Sequence, residues 1–260
     1  MTEWLAMDNI LYRCNDGVAI VSLNRPEALN ALSDDLKEEL IQVVNRALNN
    51  DEVRAIVLTG EGKAFCAGGD VKSQASREND PVERRKIIQN MNELIKNLYK
   101  APKPVISAVN GYAVGAGLGI ALAADLIVAS SNAKFSAPFI KLGLVADMGV
   151  SYLASKRIGV QRTKQLLLTG ETIDAQAAEK WGLVDWVVQP EDLMPYTLKL
   201  AKQLVNAPQT ALDITKSMLN NIQHLSIDAA LDQELNSQTL CMLTDEHKER
   251  VKAFVESRKK

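Results

Sequence analysis

Two glycine-rich segments constrain this chain more than any other feature. Residues 63–70 read KAFCAGGD, and residues 109–119 read VNGYAVGAGLG. Each segment follows a strand-like apolar run, at residues 56–58 and 105–109, and the second continues into a helix of small residues. Glycine-rich turns of this kind leave backbone N–H groups unblocked, so each segment is able to present donors to an anion. Converging in space, the pair would hold a developing oxyanion.

The composition is that of an ordinary globular protein. The 260 residues are 47% apolar and 24% charged, with a formal net charge of −2. Because the basic residues are spread along the chain, no nucleic-acid partner is expected. The three cysteines are widely separated and odd in number, which suits a reducing compartment. No targeting segment is visible at the N-terminus, so a cytoplasmic location is predicted.

The uncharged run at residues 105–124 is long enough to be tested as a membrane span. It contains four glycines, is preceded by Pro102 and Pro104, and owes much of its length to alanine and glycine. We therefore interpret it as a buried strand, a turn and a buried helix, and no membrane partner is predicted.

Strand and helix patterns alternate along the first part of the chain. Ser33 and Asp174 each offer a helix N-cap. Strands are predicted at 18–23, 53–58, 105–109, 126–129 and 183–188, and helices after Ser33 and at 83–99, 116–124 and 175–181. Beyond residue 190 the signals become helical, notably at 211–222, 227–240 and 247–255. This alternation predicts an α/β fold with buried sheets.

Several further landmarks, in a fixed order, resemble those of the crotonase superfamily, the enoyl-CoA hydratase/isomerase family. The glycine-rich pair resembles the two oxyanion-hole loops of that superfamily. The other landmarks are residues 23–32 (LNRPEALNAL), 143–147 (GLVAD), the stretch from 168–171 to 181–184, and 251–254. The resemblance runs nearly from end to end.

The resemblance implies a crotonase-like spiral of repeated ββα turns over residues 1–190. Residues 191–260 would form a C-terminal helical region that packs over the active site and builds a homotrimer or a dimer of trimers. The sequence alone leaves a doubly wound sheet open. An acyl-CoA thioester is the implied substrate, with coenzyme A present only as part of it and no metal. The polar residues 72–86 are either a solvated loop or, as in relatives, a lid over the acyl pocket.

The same resemblance assigns roles in the binding and chemistry of a thioester. An enolate needs donors at its oxygen, and motif position gives these as the backbone amides of Gly69 and Ala116. Ala116 would stand at a helix N-terminus, where the macrodipole favours negative charge. The implied contacts to the CoA thioester come from several segments: Ala28, Leu29, Ala67, Gly68, Asp70, Phe139 and Phe254.

The acid–base residues depart from the hydratase pattern. Hydratases of the superfamily use two glutamates, and motif alignment puts those places at Gly119 and Phe139, which cannot titrate. This departure argues against efficient hydration. Asp147 is the remaining candidate, at a position where related Δ3,Δ2-enoyl-CoA isomerases carry an acid. One carboxylate suffices for a 1,3-proton shift, and apolar neighbours such as Leu144 and Val145 would raise its pKa.

The leading prediction is therefore an acyl-CoA isomerase of the Δ3,Δ2-enoyl type, serving fatty-acid or aromatic catabolism. An enoyl-CoA hydratase or another crotonase-type lyase is the runner-up. A dehalogenase of the superfamily also has the aspartate but needs a histidine, and the only histidines are His224 and His247. A non-catalytic CoA-ester-binding or RNA-binding protein is the alternative of another class. Structural roles also stay open for three aspartates. Asp147 would be a turn or cap residue, Asp70 would brace a loop, and Asp125 would end a helix.

Overall fold

The repeating unit of the fold is a pair of strands followed by a helix. The computed structural model describes residues 3–70 and 80–258. After β1 (Glu3–Ala6) come four such units: β2 (Ile10–Asn15), β3 (Val18–Leu23) and α1 (Asp34–Asn49); β4 (Ala55–Gly60), β5 (Ala64–Cys66) and α2 (Pro81–Tyr99); β6 (Val105–Val109), β7 (Tyr112–Val114) and α3 (Ala116–Leu122); β8 (Leu126–Ser130), β9 (Lys134–Ser136) and α4 (Val150–Thr169). The predicted spiral of ββα turns is confirmed.

A mixed segment and four helices complete the described chain. They are β10 (Thr172–Asp174), α5 (Ala175–Trp181), β11 (Trp186–Val188), α6 (Leu193–Val205), α7 (Gln209–Asn221), α8 (Ile227–Leu243) and α9 (Asp245–Ser257). Strand β11 starts later than predicted, because the amides of Leu183 and Val184 still donate to the Ala178 carbonyl of α5. Of the predicted loop or lid at 72–86, residues 81–86 belong to α2 and residues 72–79 lie outside the described residues.

Both predicted helix caps are formed. Ser33 Oγ accepts the Leu36 N–H at 3.3 Å. Asp174 Oδ1 accepts the Ala177 N–H at 2.8 Å. A side-chain oxygen at this position satisfies one of the amides that the first helical turn leaves without a partner, so these two residues fix where α1 and α5 begin.

In the second, third and fourth units the two strands enter different sheets, whereas β2 and β3 of the first unit both belong to the larger sheet. The larger sheet has the order β1-β2-β3-β4-β6-β8-β11, and the smaller one has the order β10-β9-β7-β5. Within the smaller sheet β5, β7 and β9 are parallel neighbours. Because parallel neighbours end at the same edge, the segments that follow β5, β7 and β9 leave the sheet side by side. This topology brings the two glycine-rich segments together.

The larger sheet is covered on both faces, as expected for parallel strands. The main core contains the apolar faces of α1, α2 and α3, with Leu36, Leu94 and Leu118 buried. A smaller cluster on the opposite face packs Leu193 and Ala201 of α6 against the sheet. Helix α6 thus packs on the sheet although it follows residue 190, and a domain boundary at that residue stays a prediction.

Asp125 fastens α7 to the core. Its Oδ2 lies 2.8 Å from Lys216 Nζ of α7 and also accepts the Val105 N–H at 2.8 Å. Burial raises the pKa of Asp125 and lowers the pKa of Lys216, and the attraction between the two charges opposes both shifts. Asp125 lies just beyond the end of α3 and has a structural role, as its sequence position suggested.

Helices α8 and α9 carry exposed apolar side chains. Leu235 is 66% exposed, Leu243 is 70% exposed and Phe254 is 56% exposed. None of the helices in the described ranges has the length and apolarity needed to cross a membrane.

Candidate active site

A cavity of about 530 Å3 lies where the segments after β5, β7 and β9 meet α1 and α2. Most of the predicted site residues line it together: Ala67, Gly68, Gly69, Ala116, Phe139 and Asp147. Ala28, Leu29, Asp70 and Phe254 are not among its lining residues. The fold therefore assembles the proposed oxyanion donors and the proposed acid around one space.

The two proposed donor amides belong to loops in direct contact. Gly68 has a φ of +97°, and a Cβ built there would lie 2.7 Å from the Val114 carbonyl oxygen and 3.6 Å from the Ala116 nitrogen. Only glycine combines this φ with so close a neighbour. The amide of Ala116 is thus held beside the loop that carries Gly69.

Neither amide is used by the pairing that fixes its own loop. The Leu32 N–H donates to the Gly68 carbonyl at 2.8 Å, and the Asp70 N–H donates to the Leu32 carbonyl at 3.3 Å. The backbone pairing of Leu32 therefore does not use the N–H group of Gly69. Ala116 is the first residue of α3, where an amide has no partner within the helix. Both N–H groups fit the description of preorganised donors.

Cys66 and Gly117 form a close contact between the two glycine-rich segments. A Cβ at Gly117 would lie 2.3 Å from the Cys66 carbonyl oxygen, so only a glycine allows α3 to approach β5 this closely. Cys66 is fully buried, and burial raises the pKa of its thiol to about 12. A thiol with this pKa stays protonated and unreactive at neutral pH, which agrees with the predicted packing role.

Asp147 lies in the turn before α4 and faces the cavity. Its Oδ1 is buried and has no hydrogen-bond partner among the described residues. Burial raises the pKa of the Asp147 carboxyl, and its own backbone amide and the charge of Lys37 oppose that rise. The N-cap of α4 is Gly149 rather than Asp147. The side chain therefore does not serve as the cap that its sequence position also allowed.

The apolar surroundings of Asp147 differ in part from the prediction. Phe139 and Met148 line the cavity, and Met148 is 3% exposed. Leu144 and Val145 also line it, but they are 51% and 87% exposed and so border its mouth. Enclosure of the carboxyl in this chain comes from Met148 and Phe139 more than from the preceding turn residues.

The two places where hydratases carry glutamates are filled by packing. A Cβ at Gly119 would lie 2.5 Å from Met148 Cβ and 2.6 Å from the Met148 carbonyl oxygen. The Phe139 ring lies over Gly115, with Cζ 3.7 Å from the position of a Cβ there. A side chain at position 119 would have to displace the turn that carries Asp147. A Gly119→Glu exchange, which would restore a hydratase glutamate by motif position, therefore cannot be accommodated without moving the proposed acid.

Ala28, Leu29 and Asp70 lie beside the first glycine-rich loop, outside the cavity. The Ala67 N–H donates to the Leu29 carbonyl at 3.0 Å, and Leu29 is 40% exposed. Asp70 Oδ2 accepts from Arg25 Nη1 at 2.9 Å. Asp70 thus braces the loop, which was its alternative interpretation, and contacts of Ala28 and Leu29 with a ligand stay a prediction.

Phe254 and the histidines lie elsewhere. Phe254 is on α9, where its ring centroid is 4.4 Å from Arg258 Cζ, and the structure does not bring it to the cavity of its own chain. His224 and His247 are exposed and do not line the cavity, so no histidine is available to a dehalogenase mechanism. The described residues contain no group of three or more His, Cys, Asp or Glu side chains able to hold a metal ion.

Sequence reasoning missed two cations of the site. Lys37 of α1 and Arg84 of α2 both line the cavity. Arg84 shares a helical face with Ile87, Ile88 and Met91, and this spacing was a usable signal. Nothing in the sequence indicated that Lys37 belongs to the site. It follows a core leucine, and its other near neighbours in the sequence are polar, a pattern typical of a surface lysine.

We expect Gly117→Ala and Gly119→Ala each to lower the free energy of unfolding by about 1–3 kcal/mol, the usual cost of overpacking. Each added methyl group would meet backbone atoms closer than 3 Å. The matched control is Gly143→Ala, whose methyl group would meet no atom within 4 Å and whose positive φ alone adds strain. Denaturant unfolding at one protein concentration measures all three. Equal losses in the three variants would contradict the importance of close approach.

Comparisons with known proteins identify the family of the chain. The enoyl-CoA hydratase/isomerase family matches residues 13–260. The chain is 36% identical to a short-chain-enoyl-CoA hydratase of Clostridium acetobutylicum, covering 98% of this chain and 97% of that protein. It is 35% identical to a 1,2-epoxyphenylacetyl-CoA isomerase of Escherichia coli, covering 97% of each. A crystal structure of an enoyl-CoA hydratase from Bacillus anthracis superposes with a TM-score of 0.91 at 30% identity, over 96% of this chain and 97% of the other. The protein is therefore a member of the enoyl-CoA hydratase/isomerase family, with the crotonase fold.

Proposed function

We propose that this family member is an acyl-CoA isomerase of the Δ3,Δ2-enoyl type. One observation carries the proposal: among the described residues that line the cavity, Asp147 is the single acid. Addition of water to a double bond needs groups that activate the water and protonate carbon. A double-bond shift needs one group that accepts a proton and returns it.

The proposed reaction uses groups that already face the cavity. Asp147 accepts a proton from C2 of a 3-enoyl thioester, and the resulting dienolate oxygen accepts hydrogen bonds from the amides of Gly69 and Ala116. Protonated Asp147 then returns the proton to C4, which leaves the 2-enoyl thioester and the original carboxylate. No water is consumed. Phe139 and Met148, which enclose the carboxyl, limit the access of water to the dienolate.

Hydration is the second candidate, because the Clostridium relative at 36% identity is named a hydratase. The family resemblance alone does not separate the two reactions, since the Escherichia coli relative at 35% identity is named an isomerase. The packing of Gly119 against Met148 favours isomerisation. The proposal includes a cytoplasmic location, no cofactor beyond the CoA of the substrate, and a role in fatty-acid or aromatic catabolism.

We expect Asp147→Asn to abolish isomerisation of 3-enoyl-CoA, with a fall in kcat of about 1,000-fold or more, and to leave thioester binding largely intact. The variant should also lose deuterium exchange at C2 of a saturated acyl-CoA, which reports proton abstraction alone. Spectrophotometric turnover and mass spectrometry measure the two effects. Isomerisation at the wild-type rate would refute the role of Asp147.

The stability of the same variant provides its folding control. The raised pKa means that the ionised carboxylate weakens the wild-type fold at neutral pH. This penalty shrinks as the pH falls through the raised pKa and is gone below the ordinary value of 3.8. Asp147→Asn should therefore unfold at a temperature no lower than wild type at pH 7, so that lost activity cannot be attributed to unfolding.

Wild-type protein should hydrate crotonyl-CoA at least about 100-fold more slowly than it isomerises a 3-enoyl-CoA of the same length. In hydration, one carboxylate would have both to activate the water and to protonate carbon. The loss of the 2-enoyl thioester chromophore measures hydration directly. Efficient hydration by the unmodified chain would mean that Asp147 or another group activates water, and the hydratase assignment would then replace the isomerase.

A homotrimer or a dimer of trimers is part of the proposal. Its support is exposed apolar surface in two places, on α8 and α9 and at the cavity mouth, where Leu142 is 60% exposed and Val145 is 87% exposed. Burying such surfaces against another copy would stabilise both. Sedimentation equilibrium should give a mass three or six times 28.5 kDa. A monomer at micromolar concentration would contradict this expectation.

A further inference from the structure

Lys37 is a partly buried lysine for which the mechanism above has no role. Its side chain is 11% exposed, it lines the same cavity as Asp147, and its Nζ lies 3.1 Å from Asp34 Oδ1 one turn earlier on α1. Lys96 on α2 shows the ordinary form of the same arrangement: it pairs with Glu93 at 3.3 Å with 55% of its side chain exposed. An ammonium is costly to remove from water, and Asp34, whose side chain is 46% exposed, supplies the direct counter-charge.

Among the described residues, one carboxylate is in ion-pair contact with Lys37 and two others act on it through their charge alone. Asp34 lies on its own helix, Asp70 follows β5, and Asp147 precedes α4. Burial lowers the pKa of Lys37, and the negative charges of Asp70 and Asp147 oppose that fall. Asp70 is already paired with Arg25 at 2.9 Å. The other cation of the cavity is Arg84 on α2.

Asp147 is differently placed from the other two carboxylates. Within the described residues it forms no ion pair, and its Oδ1 accepts no hydrogen bond. Lys37 is the cation whose charge acts on it, although the two side chains are not in ion-pair contact. A direct salt bridge would occupy the oxygens that have to accept the substrate proton. A cation at longer range balances the charge and leaves those oxygens free, and the low local dielectric strengthens its effect.

We propose that Lys37 is a positioning residue of the proton shuttle, whose charge keeps Asp147 ionised between turnovers. This inference rests on the proposed isomerase function. A carboxyl group in an apolar cavity tends to bind a proton, and a protonated Asp147 cannot accept one from C2. Lys37 touches neither the substrate carbon nor the oxyanion in this role. It acts through the charge state of Asp147.

The first test is the pH dependence of kcat/KM for 3-enoyl-CoA in Lys37→Met, Lys37→Arg and Lys96→Met. Loss of the charge raises the pKa of Asp147, so in Lys37→Met the acid limb should move to higher pH. At a pH on that limb we expect a loss of roughly threefold or more, and a smaller loss on the plateau. Lys37→Arg, which keeps the charge, and the surface control Lys96→Met should keep the wild-type limb. An equal loss at every pH would indicate a packing role and overturn the proposal.

The second test does not depend on turnover. Carbon-13 NMR titration of the Asp147 carboxyl, assigned by its absence in Asp147→Asn, should show a higher midpoint in Lys37→Met than in wild type. If Lys37→Met fails to fold, Lys37→Gln replaces it in both tests. An unchanged midpoint refutes the role of Lys37, whatever the reaction. Wild-type isomerisation by Asp147→Asn refutes the proposed function, while the titration still reports whether Lys37 acts on Asp147.

Discussion

The site depends on the close approach of backbones at three glycines. A Cβ at Gly111, Gly117 or Gly119 would lie 2.0 Å from the Lys63 carbonyl oxygen, 2.3 Å from the Cys66 carbonyl oxygen and 2.5 Å from Met148 Cβ, respectively. The first contact lies where β7 begins beside β5, the second joins α3 to the end of β5, and the third joins α3 to the turn before α4. Both proposed donors and the proposed acid are attached to these contacts, so a single methyl group at any of the three would disturb their relative positions.

A buried asparagine fixes the loop on the other side of the first glycine-rich segment. Asn30 is fully buried at a φ of +56°. Its Oδ1 accepts the Arg25 N–H at 2.8 Å, and its Nδ2 donates to the Ala64 carbonyl at 2.7 Å. The side chain of Asn30 therefore connects this loop to β5. In the same loop, the Leu29 carbonyl accepts the Ala67 N–H. Hydrogen bonds within the chain thus fix the described part of the first glycine-rich loop, as preorganised electrostatics requires.

The sequence predicted what depends on local pattern. The caps at Ser33 and Asp174, the strand at 105–109 and the helix from Ala116 follow from spacing and residue type, and all of them are formed. The pattern alone left the convergence of the glycine-rich segments as a condition, and the resemblance to two oxyanion-hole loops supplied it. The resemblance supplied the spiral topology, which periodicity alone could not choose over a doubly wound sheet.

The parts that escaped prediction depend on contacts between distant segments. Lys37 and Asp147 line the same cavity although they lie far apart in the chain, a relation that no local spacing encodes. The exposure of Val145 and Leu144 likewise depends on how the turn projects from the protein, although an apolar run suggests burial. Phe254 lies on a helix distant from the cavity, and only an arrangement of several chains could bring a second copy of it there.

The contact between Gly119 and Met148 also links the packing of the site to its chemistry. The turn that carries Asp147 into the cavity occupies the volume that a side chain at position 119 would need. A carboxylate at 147 with this backbone therefore excludes a glutamate at 119. Among the described residues that line the cavity, Asp147 is then the single acid, which suits the proposed reaction because one group both takes and returns the proton.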